Sequence, residues 1–158
     1  MAYACRFRLA RVHSKINLMG GDSFFREFDH TGDLGIIVEA PSRAELFARA
    51  TIAMAWLMVE RGGVRALERR EIAVRADSNA DRLHDLLAAA LNLFMIDGFI
   101  WCNATAVEND GEVVAALLGE CFDPARHQLI TEIKAVTYHR LAIEHDRGGW
   151  HATVVFDI

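Results

Sequence analysis

Two stretches of the chain carry apolar residues at helical spacing, each opened by a serine and closed by glycine, and everything around them alternates. Ser42 and Glu45 stand as an S-x-x-E box ahead of Leu46, Phe47, Ala50, Met54, Leu57 and Met58, which recur at intervals of three and four until Gly62-Gly63. Such a box satisfies orphan N–H groups at a helix start, with Ser42 as N-cap and Glu45 reaching back to its N–H. Ser78-Asn79-Ala80-Asp81 precedes a second stripe of Leu83, Leu86, Leu87, Ala90, Leu91, Phe94 and Met95, which stops at Gly98. A one-sided helix must lie on something, and the rest of the chain offers strands. Leu34–Glu39, Arg69–Ala76, Phe99–Val107, Val113–Leu118, Glu132–Glu144 and Trp150–Ile158 are rich in β-branched residues or alternate with period two. Asp110-Gly111 is a hairpin signal between two of them. The pattern predicts an α+β fold of one domain: a largely antiparallel β-sheet with two α-helices packed on one face.

Within those strands the alternation assigns faces. Ile133, Ala135, Thr137, His139, Leu141 and Ile143 fall on one side of the long strand, and Lys134, Val136, Tyr138 and Arg140 on the other. In the last strand Trp150, Ala152, Val154 and Phe156 are predicted to face the core, with His151, Thr153, Val155 and Asp157 opposite. His84 and Asp85, adjacent on a helix, do not share a face and read as surface residues. Cys121–Gln128, with Pro124, reads as a loop with an exposed His127.

A length of 158 residues at 53% hydrophobic content suits one domain with a sizeable core. The longest strongly apolar run, Ile52–Val59, is too short to span a bilayer and no secretory signal opens the chain, so a cytoplasmic protein with no membrane association is expected. Cys5, Cys102 and Cys121 are odd in number and lack C-x-x-C spacing, which argues against a disulfide framework or a cysteine-rich zinc site. Residues 1–21 carry Arg6, Arg8, Arg11 and Lys15 and no acid, so a net charge of −5 leaves −9 on the remainder. An acidic body is a poor direct nucleic-acid binder and suits a basic protein partner. The basic segment, residues 1–21, reads as an N-terminal extension outside the domain at 22–158, with three alternatives open: a flexible arm, an extra edge strand over Cys5–Val12, or an upstream start ahead of Met19.

Chemistry concentrates in one place. Phe28-Asp29-His30-Thr31-Gly32-Asp33-Leu34-Gly35-Ile36 gathers two carboxylates, an imidazole, a hydroxyl and two glycines just ahead of a strand. Taken alone it reads equally as a polar turn with Asp33 capping backbone N–H groups or as a site at a loop–strand junction. The chain then stops at Asp157-Ile158, placing a side-chain carboxylate one residue from the terminal one. If the two stretches meet in the fold, Asp33, Asp157 and the carboxylate of Ile158 bring up to three negative charges together, which a hard divalent cation with oxygen ligands would neutralise. No phosphate-binding glycine loop and no G-x-S-x-G elbow is present. The seven histidines never take H-x₃-H or H-E-x-x-H spacing, so a zinc hydrolase would rest on His30 alone.

His30-Thr31-Gly32-Asp33-Leu34-Gly35-Ile36 resembles the H-T-A-D-[IVL]-G-I motif of the archease family, and Glu132-Ile133-Lys134-Ala135-Val136-Thr137-Tyr138-His139 resembles its E-[IV]-K-A-[VI]-T-Y-H motif. Asp157-Ile158 matches the D-I with which these proteins end. The chain departs from the pattern at Gly32, where the family usually has Ala, and in its N-terminal segment. The resemblance implies a protein cofactor of RtcB-type RNA ligases, which join RNA ends in tRNA splicing and repair, promoting ligase guanylylation and multiple turnover without catalysing ligation. It also implies Asp33, Asp157 and Ile158 as ligands of a divalent cation, Ca²⁺ with Mg²⁺ or Mn²⁺ in use, and Lys134 as functional. The alternative for Lys134 is a salt-bridge neighbour of Asp157. His30 is the second candidate for partner activation. Two other functions fit the residues: a metal-dependent phosphoesterase using Asp33, Asp157 and His30, or a small chaperone-like module needing no metal.

Overall fold

The structure, a computed structural model, describes residues 23–30 and 32–158, with the side chains of Asp29 and His30 excepted. The expectations for residues 1–21 lie outside the described residues. The elements run β1 (Phe25–His30), β2 (Asp33–Ala40), α1 (Arg43–Met58), β3 (Glu68–Arg75), α2 (Asn79–Asp97), β4 (Phe99–Asn109), β5 (Glu112–Cys121), β6 (Ala135–Asp146) and β7 (Gly149–Asp157). The expected α+β architecture holds, with the strands divided between two antiparallel sheets in the orders β1-β2-β7-β6 and β3-β5-β4. The division follows from the tight turns: β4 and β5 pair through Asp110 and Gly111, both at positive φ, while β6 and β7 pair through Gly149 and close on β2.

Both helices lie against both sheets and share one core. Leu46, Phe47, Ile52 and Met54 of α1 and Leu83, Leu86 and Leu87 of α2 are fully buried beside Ile36, Val38, Trp101, Leu117, Val154 and Phe156. Trp101, the largest of these, donates its indole N–H to the Thr51 carbonyl at 2.9 Å, so β4 is pinned to α1 by a polar contact in an apolar setting. Among the described residues no helix is long and apolar enough to cross a membrane.

Caps appear where the sequence puts them. Ser42 Oγ accepts from Glu45 N–H and Ser78 Oγ from Asp81 N–H, and Gly98 ends α2 in the left-handed region at φ 65°, but the Glu45 carboxylate accepts from Arg49 rather than reaching back to the Ser42 N–H. Three expectations change. First, α1 ends at Met58 rather than near Gly62, because Val59 turns into extended backbone and bridges Leu129. Second, the segment before Asp33, read as a turn, is largely a strand: β1 pairs with β2 from Phe25↔Val38 to His30↔Asp33, and Gly32 turns the chain into Asp33. Third, β6 does not keep one alternation. Thr137 pairs with Val155 and Ala142 with Thr153, so Tyr138–Leu141 oppose a single β7 residue. The three extra residues are odd in number and therefore switch which parity faces the core. Val136 is buried before the bulge, contrary to the assigned faces, and Leu141 and Ile143 pack on the core after it.

Candidate metal centre at the chain end

The hairpin of β1 and β2 and the last strand bring the two chemical stretches together. Asp33 stands opposite Asp157 in the β2–β7 ladder, and His30 opposite Asp33 in the β1–β2 ladder. Directly opposed residues of an antiparallel pair have Cβ atoms ~4.5–5.5 Å apart, and like charges so placed destabilise the sheet. The next row inward carries no charge: Phe28, Gly35, Val155 and Thr137 lie side by side across the four strands. By the period of two, this row and the Asp33–Asp157 pair share the face turned away from Ile36, Val154 and the helices.

Lys134 is exposed just before β6, and its backbone N–H donates to the Asp157 carbonyl at 2.8 Å. That bond ties the Lys134 backbone to the stretch of chain just before Ile158. Ile158, 40% exposed, lines an open groove of about 550 Å³ with Leu34, Trp56, Leu57 and Ile130, rimmed by Glu27, Glu60 and Arg61. Arg61 stacks over the Trp56 ring at 4.2 Å. The groove opens on the core side of the sheet end, and the carboxylate pair stands on the other.

Among the described residues no three His, Cys, Asp or Glu side chains gather as a metal cluster. What the ladder does gather is two aspartates, an all-oxygen, acidic donor pair. That chemistry fits a hard cation such as Ca²⁺ or Mg²⁺, whose ligands are carboxylates, carbonyls and water, and not zinc, which favours nitrogen and sulfur. Protein side chains alone would leave coordination positions to the terminal carboxylate, to main-chain oxygens and to water.

Two histidines sit differently from expectation. His127, expected exposed, is buried: its Nδ1 accepts from Asp123 N–H at 2.9 Å and its Nε2 lies 3.1 Å from Glu120 Oε1. Glu120 also accepts from Arg126 at 2.6 Å and from the Arg65 backbone N–H at 2.8 Å. The Arg126 guanidinium, above all, holds the Glu120 carboxyl down at about 2, with the Arg65 and His127 bonds assisting and burial opposing. His84, expected at the surface, is half-buried: its ring stacks on Tyr138 at 3.9 Å and its Nε2 lies 3.2 Å from the Val136 carbonyl, docking α2 on β6. Beside it the Tyr138 hydroxyl is pushed up, first by burial and then by Asp81 and Asp85. Both clusters read as packing devices.

The sequence matches the profile of the Archease protein family over residues 25–158. Protein archease of Methanosarcina acetivorans is 32% identical over 139 residues, covering 85% of this chain and 95% of that protein. Protein archease of Methanopyrus kandleri is 32% identical over 138 residues, covering 85% and 99%. The solution structure of protein 1598 of Methanobacterium thermoautotrophicum superposes with a TM-score of 0.71 at 26% identity, covering 85% of this chain and 99% of that one. The crystal structure of an archease, described as a possible chaperone, from Thermotoga maritima shares the fold with a TM-score of 0.57 at 23% identity, covering 84% of this chain and 96% of that one. Since the profile spans the hairpin, the lysine segment and the closing Asp-Ile, and relatives of about 30% identity and the fold agree with it, this chain belongs to the archease family.

Proposed function

We propose that this protein is an activating cofactor of an RtcB-type RNA ligase, serving tRNA splicing and RNA repair in the cytoplasm. In this reading Asp33, Asp157 and the terminal carboxylate of Ile158 hold a divalent cation at the protein's own edge. The observation that carries it is the register pairing of Asp33 with Asp157 one residue from the chain end. Bound there, the cation would supply charge neutralisation and open coordination positions toward the partner. The protein's residues do the rest: the two strands fix the carboxylates at a set spacing, and exposed Lys134, tied through its backbone to Asp157, offers a charge to the ligase or its guanylate. His30, opposite Asp33 in the ladder, is the second candidate for that contact. A small displacement of a reacting group can change a rate by orders of magnitude, so a rigid sheet end can assist guanylylation without being a catalyst itself.

The test is single-turnover guanylylation and multiple-turnover ligation by an RtcB-type ligase from the same source, with GTP and Mn²⁺. Substoichiometric wild-type protein should accelerate both, because an activator released after each cycle serves many ligase molecules. Asp33→Ala should accelerate neither, and Lys134→Ala should keep cation binding and lose activation. Failure of the wild-type protein to speed either step overturns the proposal. Hydrolysis of simple phosphoesters by the pure protein would support the phosphoesterase reading instead.

A further inference from the structure

Arg140 occupies a conformation that an L-residue adopts reluctantly: it has φ 55° inside the β6 bulge, where glycine would be at ease. A bulky side chain persists at such a point when its surroundings over-determine it, and such outliers cluster where geometry matters for function. What Arg140 gains is a contact across the sheet. Its guanidinium lies 5.2 Å from the centre of the Phe28 ring, on the strand at the far edge of the order β1-β2-β7-β6. The far end of the Phe28 ring in turn lies against Gly35, so closely that a Cβ on that residue would overlap it. Val155, fully buried although it faces away from the helices, sits in the same row between Gly35 and Thr137. The bulge, the arginine, the ring and the glycine thus form a strap over the row directly behind Asp33 and Asp157.

Resting on the reading of that pair as a cation site, we propose that Arg140 is a positioning residue that, through Phe28, holds the β1–β2 hairpin against β7 and so sets the spacing of Asp33 from Asp157. The hairpin reaches Asp33 through Gly32, which stands in the left-handed region at φ 81°. Phe28 is two residues from the end of β1 and Gly35 two from the start of β2, so pressing that ring on that glycine fixes both legs of the hairpin near its tip. Without the strap the like-charged aspartates would splay, and a cation would have to draw them back.

The experiment measures Ca²⁺ affinity by calorimetric titration for the full chain and for Arg140→Gly, Arg140→Lys and Phe28→Ala, with thermal melts of each in chelator. Arg140→Gly is the decisive variant, since it relieves the positive-φ strain and removes the guanidinium together. A purely structural arginine predicts a metal-free protein at least as stable with unchanged affinity. The positioning role predicts ~10-fold weaker Ca²⁺ binding, the scale of loss when groups supporting metal ligands are removed. Arg140→Lys should recover part of the affinity, and Phe28→Ala should weaken it whatever its stability. Thr51→Ala, which deletes a buried hydroxyl bonded to the Phe47 carbonyl far from the pair, should lower stability with affinity unchanged. Wild-type affinity in Arg140→Gly overturns the proposal. Absence of Ca²⁺ binding by the wild-type chain overturns the cation site itself, which is a different result.

Discussion

Glu120 shows how much a single buried carboxylate can organise. It gathers the Arg126 guanidinium, the Arg65 backbone N–H and the His127 imidazole, and thereby closes the loop after β5 onto the segment before β3. Since His127 Nδ1 accepts from Asp123 N–H, the ring offers Nε2–H to Glu120, and both ring nitrogens and both Glu120 oxygens find partners. Its depressed pKa has a definite sign. A carboxylate held below its ordinary value of 4.5 contributes stability in full above that value, and the contribution is lost as pH falls from there through about 2. Glu120→Gln should therefore lower the melting temperature at pH 7 and flatten its fall between about 4.5 and 2. Parallel acid melts of variant and wild type would place the acid sensitivity elsewhere. None of this was legible in the sequence, because the loop with Pro124 reads as exposed and the acid that buries His127 belongs to the strand before it, facing a backbone amide 55 residues upstream.

At the scale of elements, α2 was legible at both ends because its signals are local. Ser78 Oγ caps Asp81 N–H at 3.0 Å, and Gly98 takes the left-handed angle that lets its N–H return to Leu93 and Phe94. Ser78→Ala should cost about 1 kcal/mol, and Gly98→Ala about 1–2 kcal/mol for a Cβ in the left-handed region. Denaturant midpoints should fall with the m-value unchanged, and the two losses should add, since the sites lie at opposite ends of the helix. Losses well below these would mean that packing of Leu83, Leu86 and Leu87 alone defines the helix limits. Elements set by distant partners were the ones misread. The last turn expected of α1 gives way to the Val59–Leu129 bridge, β1 exists because β2 offers it an edge, and Val136 and Leu141 both face the core because three residues loop out between their pairings. Met95, counted in the α2 stripe, is 60% exposed.

On the scale of the whole molecule, the fold joins the first described hairpin to the last residue, so that charges 124 positions apart face each other in one ladder as Asp33 and Asp157. The candidate site was legible from sequence as residues and unreadable as geometry: the motif and the chain end gave Asp33, Asp157 and Ile158, while the strap of Phe28, Gly35 and Arg140 emerges only when the strands are ordered. If the pair holds a cation as proposed, a site built by closing the chain on itself would couple that binding to the folded state, because the unfolded chain has no such pair. A ligand that binds only the native state stabilises it by about 2.7 kcal/mol at a hundredfold excess over Kd, which in a chain of this size raises the melting temperature by roughly 5–10 °C. Ca²⁺ should produce such a shift in the wild-type protein and none in Asp33→Ala or Asp157→Ala, whose metal-free forms should melt no lower than wild type since each substitution relieves like-charge repulsion. A tag added after Ile158 moves the terminal carboxylate away and should reduce the shift, whereas the same tag before Met1 should leave it intact. Equal shifts in the two tagged proteins would remove Ile158 from the ligand set while leaving the aspartate pair in place, and an undiminished shift in Asp33→Ala would mean that the ion is held by residues other than those the ladder brings together.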